Sequence, residues 1–120
     1  MIQISEAELE IMKVLWQIEK GSSGQIIDKL QTTTDWKPKT IQTLITRLVA
    51  KEAIAVDKSN KKMYIYRANI QENEYKNYAS ESFLGKLYNG SINLMLSSFI
   101  KDKKLSKEDI NELKKILDEE

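Results

Sequence analysis

The chain has 120 residues, a formal net charge of +1 and neither cysteine nor histidine. Without cysteine it can form no disulfide bond, thiolate nucleophile or sulfur-ligated zinc site. Without histidine it has no imidazole metal site and no Ser-His triad. We therefore expect a cytoplasmic protein of one domain, or of a small domain with an appendage, that uses no metal or cofactor. No apolar run is long enough to span a membrane, and the opening MIQISEAELE predicts no secretory signal.

The small net charge conceals a strong segregation of charge along the sequence. Residues 1–36 carry a net charge of −3, residues 37–67 carry +6 and residues 68–120 carry −2. A locally basic segment of this kind indicates contact with nucleic acid. The alternative interpretation is a solvated, lysine-rich face.

The first fifty residues predict three short helices. The first begins at Ser5, with Glu8 three residues later in a capping box. Residues 21–24 interrupt it, and Ser23 is predicted to cap a second helix. A short polar turn at residues 32–35 leads into the third helix, and this spacing is typical of a helix-turn-helix unit.

The third predicted helix, WKPKTIQTLITRL over residues 36–48, separates its side chains into two arcs. Pro38 lies in the first turn, where a helix tolerates proline. The β-branched residues between positions 40 and 46 favour a strand by propensity, but only the helical period sorts apolar from polar side chains. The apolar arc contains Ile41, Leu44, Ile45 and Leu48. The polar arc, which we call the recognition arc, contains Lys39, Thr40, Thr43, Thr46 and Arg47. These cations and hydroxyls suit phosphate oxygens and base edges, so we predict a recognition helix, with a solvated face as the alternative.

A basic β-hairpin is predicted next. Ile54 and Val56 form one strand, residues 63–66 form the other, and KSNKK connects them. The connection carries Lys58, Lys61 and Lys62, which suit contact with a nucleic-acid backbone. Three helices followed by such a hairpin predict a winged helix; an ordinary solvated hairpin is the alternative.

Further candidate DNA contacts flank these elements. Ser22 and Ser23 lie at the start of the second helix, whose free amides suit a phosphate, although a plain helix cap is the favoured explanation. Trp36 either braces the turn or touches the DNA backbone, and Lys37 adds a cation. The complete candidate DNA-binding set is Ser22, Ser23, Trp36, Lys37, Lys39, Thr40, Thr43, Thr46, Arg47, Lys58, Lys61 and Lys62.

The remaining sequence predicts three amphipathic helices, with breaks at residues 89–90 and 101–104 and a cap formed by Ser106 and Asp109. Because such short helices bury little surface among themselves, we expect them to pair with a second copy rather than fold back on the N-terminal unit. The candidate interface residues are Tyr75, Phe83, Leu87, Leu96, Phe99, Ile110, Leu113 and Ile116.

The predicted fold is mainly α with a small β-hairpin. It comprises an N-terminal winged helix-turn-helix DNA-binding domain over residues 1–70 and a C-terminal three-helix dimerisation domain over residues 71–120. Among other functions, an enzyme is disfavoured because no phosphate-binding Gly-rich loop, metal constellation or activated nucleophile is visible. A winged-helix regulator that answers another signal and a winged-helix protein-interaction module stay open, although the basic segment speaks against the module.

Five segments are distinctive: SEAELEIMKVLW, WKPKTIQTLITRL, the short basic hairpin, SFLGKLYNGS and LSKEDINEL. Together they span essentially the whole chain and resemble the penicillinase (β-lactamase) repressors of the BlaI/MecI family. This resemblance implies a homodimeric winged-helix repressor that binds palindromic double-stranded operators and blocks transcription of β-lactamase or related antibiotic-resistance genes.

The resemblance also implies how repression is relieved. In the family, a membrane sensor with a metalloprotease domain responds to β-lactams and the repressor is cleaved in its dimerisation region, just before a phenylalanine. That bond corresponds to Ser98-Phe99 here, where Ser98 replaces the usual asparagine. The sensor would be a partner of this chain, which itself inserts into no membrane.

Overall fold

The computed structural model of the protein describes residues 2–118, so Met1, Glu119 and Glu120, at the ends of the two predicted domains, lie outside the described residues. The described elements, in chain order, are α1 (Glu6–Ile18), β1 (Lys20–Gly21), α2 (Ser23–Leu30), α3 (Pro38–Ala50), β2 (Ile54–Asp57), β3 (Ile65–Ala68), α4 (Glu72–Tyr88), α5 (Ile92–Lys101) and α6 (Lys107–Asp118). The chain divides into two compact units, residues 1–76 and residues 77–120. The mainly helical fold with a small antiparallel sheet is confirmed.

The first unit forms around one apolar core. Helices α1, α2 and α3 pack on one another, and α1 and α3 also contact the strands. The sheet is antiparallel in the order β1-β3-β2, with Lys20 opposite Arg67 and Val56 opposite Tyr66. The buried apolar residues are Ile11, Met12, Val14, Leu15, Ile26, Leu30, Ile41, Leu44, Ile45, Leu48, Ala53, Ile54, Tyr66 and Ile70. All four members of the predicted apolar arc of α3 belong to this core.

The cap of α2 differs from the prediction. Ser22, not Ser23, is the N-cap: the Gln25 amide donates to Ser22 Oγ at 3.2 Å, and the Ser22 amide donates to Gln25 Oε1 at 2.8 Å. The reason is the side chain three residues after the cap. A cap at Ser23 would place Ile26 there, and an isoleucine cannot return a hydrogen bond.

The hairpin also differs from its predicted boundaries. Strand β3 begins at Ile65, and Met63 and Tyr64 are exposed outside it. A local turn uses the backbone amides that a longer β3 would need for pairing with β2. The Lys62 amide donates to Asn60 Oδ1 at 3.0 Å, and the Met63 amide donates to the Asn60 carbonyl at 3.2 Å. The short strand β1 was not predicted because two residues carry no periodicity.

A charged pair connects α1 to α3. Glu8 completes the predicted capping box with Ser5 and is only 2% exposed. Lys51, the C-cap of α3, lies with its Nζ 2.6 Å from Glu8 Oε1 and donates to the Gln3 carbonyl at 3.0 Å. Burial alone would raise the pKa of the Glu8 carboxyl, but hydrogen bonds with Lys51 and Ser5 outweigh it and lower the pKa below its usual value. The pair therefore holds the end of α3 against the start of α1 in its ionised form.

The second unit consists of helices with much exposed apolar surface. Ser91 caps α5, and Ser106 and Asp109 exchange the predicted capping bonds at the start of α6. In the part of the chain described, no residue of α4, α5 or α6 is buried. The exposed large apolar residues of this unit are Phe83, Leu87, Ile92, Leu94, Ile100, Leu113, Ile116 and Leu117. Over residues 2–118, no helix is both long enough and apolar enough to cross a membrane.

We expect Glu8→Gln to lower the free energy of unfolding by about 1–3 kcal/mol near neutral pH, because Lys51 loses its ionic partner. Since the pKa of Glu8 is lower in the folded than in the unfolded chain, the stabilisation is complete above the unfolded value of about 4.3 and is lost as pH falls through the folded value. Urea unfolding should therefore show a difference between variant and wild type that shrinks in acid.

Glu10→Gln is the matched control for this measurement. Its carboxylate is 42% exposed and pairs with Lys13 at 3.4 Å, so its removal should change the unfolding free energy by less than about 1 kcal/mol. An effect of Glu8→Gln that stayed constant from neutral pH into acid would contradict the assignment of an ionised, stabilising pair.

Candidate nucleic-acid interface

The recognition arc of α3 faces solvent. Lys39, Thr40, Thr43, Thr46 and Arg47 are all exposed, whereas the apolar arc opposite them is buried. The helix starts with Lys37 as N-cap and Pro38 as its first residue. Because the apolar arc is packed into the core, the polar side chains stand on a rigid element, which favours defined contact with a partner.

The cations of the recognition arc are available for an anionic partner. In the described part of the chain, neither Lys39 nor Arg47 takes part in a salt bridge. Arg47 lies in the last turn of α3 and Lys39 in the first, so the two charges bracket the threonines along the helix. Such a pair can hold phosphates on either side of a base-reading surface.

The turn before α3 is held by side-chain hydrogen bonds. Thr34 Oγ1 donates to the Leu30 carbonyl at 2.9 Å, and Gln31 Nε2 donates to the Trp36 carbonyl at 3.3 Å. The Trp36 side chain is partly buried against the core. This packing makes Trp36 a brace for the turn, while a contact between Trp36 or Lys37 and DNA stays a prediction.

The start of α2 and the wing, which we define as residues 58–64, line one cleft. This cleft has a volume of about 380 Å³ and is lined by Ser22, Ser23, Gly24, Lys61, Lys62, Met63, Tyr64 and Tyr66. The fold thus brings the predicted candidates of α2 together with two of the three wing lysines. Lys58 instead lies over the Tyr64 ring, with its Nζ 5.7 Å from the ring centroid.

Met63 and Tyr64 were not predicted as part of this surface, because the sequence placed them in a strand. They are 54% and 38% exposed, next to the wing lysines. Asn60 could have indicated their exposure from the sequence, because its side chain forms a turn that moves the start of β3 to a later residue. At the other end of the wing, the Ser59 amide donates to Asp57 Oδ1 at 2.9 Å and lowers the pKa of that carboxyl.

Comparison with known proteins identifies the family. A family model described as penicillinase repressor matches residues 4–119 of the chain. The chain belongs to the penicillinase repressor family. A penicillinase repressor of Bacillus licheniformis is 44% identical over 117 residues, covering 98% of this chain and 91% of the relative. The methicillin resistance regulatory protein MecI of Staphylococcus aureus strain N315 is 39% identical over 115 residues, covering 96% of this chain and 93% of MecI.

Solved structures of this repressor family match the DNA-binding fold. The solution structure of the DNA-binding domain of the repressor BlaI is 42% identical, with a TM-score of 0.56, and the match covers 62% of this chain and 89% of BlaI. The Bacillus licheniformis BlaI monomer, solved in complex with the blaP half-operator, is also 42% identical, with a TM-score of 0.53 and coverage of 61% and 88%. The winged-helix fold of the first unit is thereby confirmed.

The predicted cleavage site lies near the end of α5. Ser98 and Phe99 are partly buried, the Asp102 amide donates to the Ser98 carbonyl at 3.0 Å, and the Lys104 amide donates to the Phe99 carbonyl at 2.9 Å. Lys104 Nζ also lies 5.5 Å from the centre of the Phe99 ring. The bond between residues 98 and 99 is therefore part of a hydrogen-bonded helix end.

The predicted interface residues lie in two different environments. Tyr75 belongs to the first unit, where its ring centroid is 6.0 Å from that of Trp16 and the Trp16 indole donates to the Ile70 carbonyl at 2.8 Å. The remaining candidates lie in the second unit: Phe83, Leu87, Leu113 and Ile116 are exposed, and Leu96, Phe99 and Ile110 are partly buried. The packing of Tyr75 on Trp16 gives Tyr75 a role within one chain.

We expect the wing lysines to contribute to the salt dependence of DNA binding. Replacing Lys58, Lys61 and Lys62 together by alanine should flatten the slope of log association constant against log salt by about 0.9 for each phosphate that the wing no longer neutralises. Fluorescence anisotropy titrations across a salt series measure this slope.

Lys13→Ala on α1 removes a lysine that is 56% exposed and pairs with Glu10, and it should leave the slope unchanged. A triple wing variant with the wild-type slope would remove the wing from the interface.

Proposed function

We propose that this chain is a homodimeric transcriptional repressor that binds palindromic operators of β-lactamase or other antibiotic-resistance genes. The observation that carries the proposal is the recognition arc: two cations and three threonines exposed on a helix whose other side is buried. Relatives named penicillinase repressor and methicillin resistance regulatory protein, at 44% and 39% identity over nearly the whole chain, support the choice of target genes.

The proposed mode of binding places α3 in the major groove, which is wide enough to admit a helix. Thr40, Thr43 and Thr46 then face base edges, and Lys39 and Arg47 hold phosphates or a guanine edge. The cleft that holds Ser22, Ser23, Lys61 and Lys62 would contact the phosphate backbone beside the helix. The blaP half-operator bound to the related BlaI monomer is consistent with one first unit per half-site.

In the proposed dimer, the exposed apolar side chains of the second unit pack against a partner copy. Leu87, Ile116 and Leu117 are 64%, 57% and 71% exposed in the single chain. Covering such side chains contributes roughly 25 cal/mol for each Å² of apolar surface removed from water. A two-fold dimer would also present two recognition helices to the two halves of a palindrome.

Repression would be relieved by cleavage of the Ser98-Phe99 bond by a membrane sensor protease that responds to β-lactams. A protease needs an extended chain, so the end of α5 must first unwind. Removing the chain from Phe99 onward deletes the end of α5 and all of α6, with their apolar residues, from the dimer. The two half-sites would then be bound independently, and the advantage of linked binding would disappear without any change in the recognition arc.

One experiment tests DNA binding and dimerisation together. The full chain should bind a duplex with two inverted copies of the blaP half-operator about 100-fold more tightly than a duplex with one copy, and a scrambled duplex far more weakly. Ile116→Lys should abolish the advantage of two copies while preserving affinity for one copy. A lysine at this position would be buried in the proposed dimer interface and disrupt it, whereas α3 is left unchanged.

Asn111→Lys is the matched control, since it adds the same charge at an exposed position of α6. Sedimentation should show a monomer for Ile116→Lys and a dimer for the control. Equal affinity of wild type for operator and scrambled duplexes would overturn DNA recognition, whereas equal affinity for one and two copies would overturn the dimer.

Cleavage should follow the helical stability of α5. Ser97 is exposed beside the bond, and Ser97→Gly should be cut about five times faster than Ser97→Ala, because glycine lowers helix stability by about 1 kcal/mol relative to alanine. The variants are incubated with membranes of β-lactam-induced Bacillus licheniformis, and the fragments are identified by mass spectrometry.

The same pair of substitutions at Ser80, which is exposed in α4, should leave the cleavage rate unchanged. Cleavage at another bond, or no cleavage in the presence of an active sensor, would overturn the proposed relief mechanism and favour a regulator that answers a different signal.

A further inference from the structure

The three threonines of the recognition arc use their hydroxyl hydrogens differently. Thr43 Oγ1 donates to the Lys39 carbonyl at 3.0 Å, and Thr46 Oγ1 donates to the Gln42 carbonyl at 2.9 Å. Thr40 has no such bond to any described residue. These side chains therefore offer different groups to a partner, although all three are exposed and of the same residue type.

The difference follows from where α3 begins. A threonine in a helix donates to the carbonyl four residues earlier. For Thr43 and Thr46 that carbonyl belongs to Lys39 or Gln42, inside the helix. For Thr40 it belongs to Trp36, which precedes the N-cap Lys37 and whose carbonyl accepts from Gln31 Nε2 instead.

A hydroxyl carries one hydrogen, so a threonine that donates to its own helix has none left for a base. Thr43 and Thr46 could donate to a guanine, to adenine N7 or to thymine O4 only by breaking their backbone bonds. Each Oγ1 lies within 3.0 Å of a main-chain carbonyl and keeps only its lone pairs for a partner, so these side chains offer a base an acceptor oxygen and an apolar γ-methyl group. In the major groove the matching apolar group is the C5-methyl of thymine.

We propose that Thr43 and Thr46 select thymine through its methyl group, whereas Thr40 supplies a hydroxyl hydrogen to a base acceptor or a phosphate oxygen. The proposal rests on the proposed function, in which α3 enters the major groove. It divides the recognition arc into an apolar part and a hydrogen-bonding part, and it makes the methyl groups of two threonines determinants of sequence specificity.

Paired substitutions separate the two chemistries at each position. Thr43→Val keeps a branched apolar side chain and removes the hydroxyl, so it should cost less operator affinity than Thr43→Ser. Thr43→Ser keeps the hydroxyl and removes the methyl group. It should weaken binding about fourfold per half-site, which corresponds to about 0.8 kcal/mol for one methyl-sized contact.

Thr40 should show the opposite order: Thr40→Val removes the donor hydroxyl and should weaken operator binding more than Thr40→Ser, which keeps it. Valine, serine and threonine have similar helix propensities, so these exposed substitutions are expected to preserve the fold, which thermal melts verify. If Thr43→Val reduced affinity as much as Thr43→Ser, the methyl assignment would be overturned.

A methyl-deletion scan of the DNA provides the direct readout. A duplex is first enriched from a randomised pool with the full chain, and each thymine is then replaced by deoxyuridine, which lacks only the C5-methyl. At one or more positions the wild type should bind the deoxyuridine duplex about fourfold more weakly, and Thr43→Ser should show no further loss there.

The two proposals fail in different ways. If no sequence is enriched from the pool, the DNA-binding function itself is overturned. If a sequence is enriched and bound tightly, but no thymine methyl is coupled to Thr43 or Thr46, the operator-binding function stands and methyl selection is overturned.

Discussion

The packing of α3 on the core is the constraint on which the rest of the first unit depends. Ile41, Ile45 and Leu48 are fully buried, and Leu44 is 6% exposed. Truncating one such side chain to alanine costs about 2–5 kcal/mol, a large part of the roughly 5–15 kcal/mol that stabilises a small domain. Because the polar side chains lie opposite these residues, the same contacts decide which groups face solvent. Residues that cannot touch DNA therefore determine the geometry of those proposed to do so.

The second unit, unlike the first, has no apolar core of its own among the described residues. In the described residues its helices have local caps at Ser91 and Ser106 but no buried side chain. Helices of 10–17 residues derive most of their stability from packing of an apolar face, which is largely exposed here. In the proposed repressor, a second copy supplies that packing. Without that second copy, little packing opposes local unwinding of these helices, and unwinding is what exposes a chain to a protease.

Much of the fold was predictable because it depends on neighbours in the sequence. The two arcs of α3 follow from the helical period, and the capping box of Ser5 and Glu8 from a three-residue spacing. The helix breaks at Asn89 and Lys103 coincide with positive φ angles of 52° and 56°. The exposure of the recognition arc was equally predictable from the sequence, because whichever element packs on the apolar arc leaves the polar arc facing solvent.

The sequence by itself determined the helices, their apolar faces and the concentration of basic charge in residues 37–67. Only the tertiary structure decided which distant groups meet: β1 with β3, Tyr75 with Trp16, Lys51 with Glu8, and the start of α2 with the wing. The start of α3, a local feature, decides that Thr43 donates within its helix and that Thr40 does not. Periodicity reports which side of an element is apolar, whereas long-range contacts depend on how the core brings the elements together.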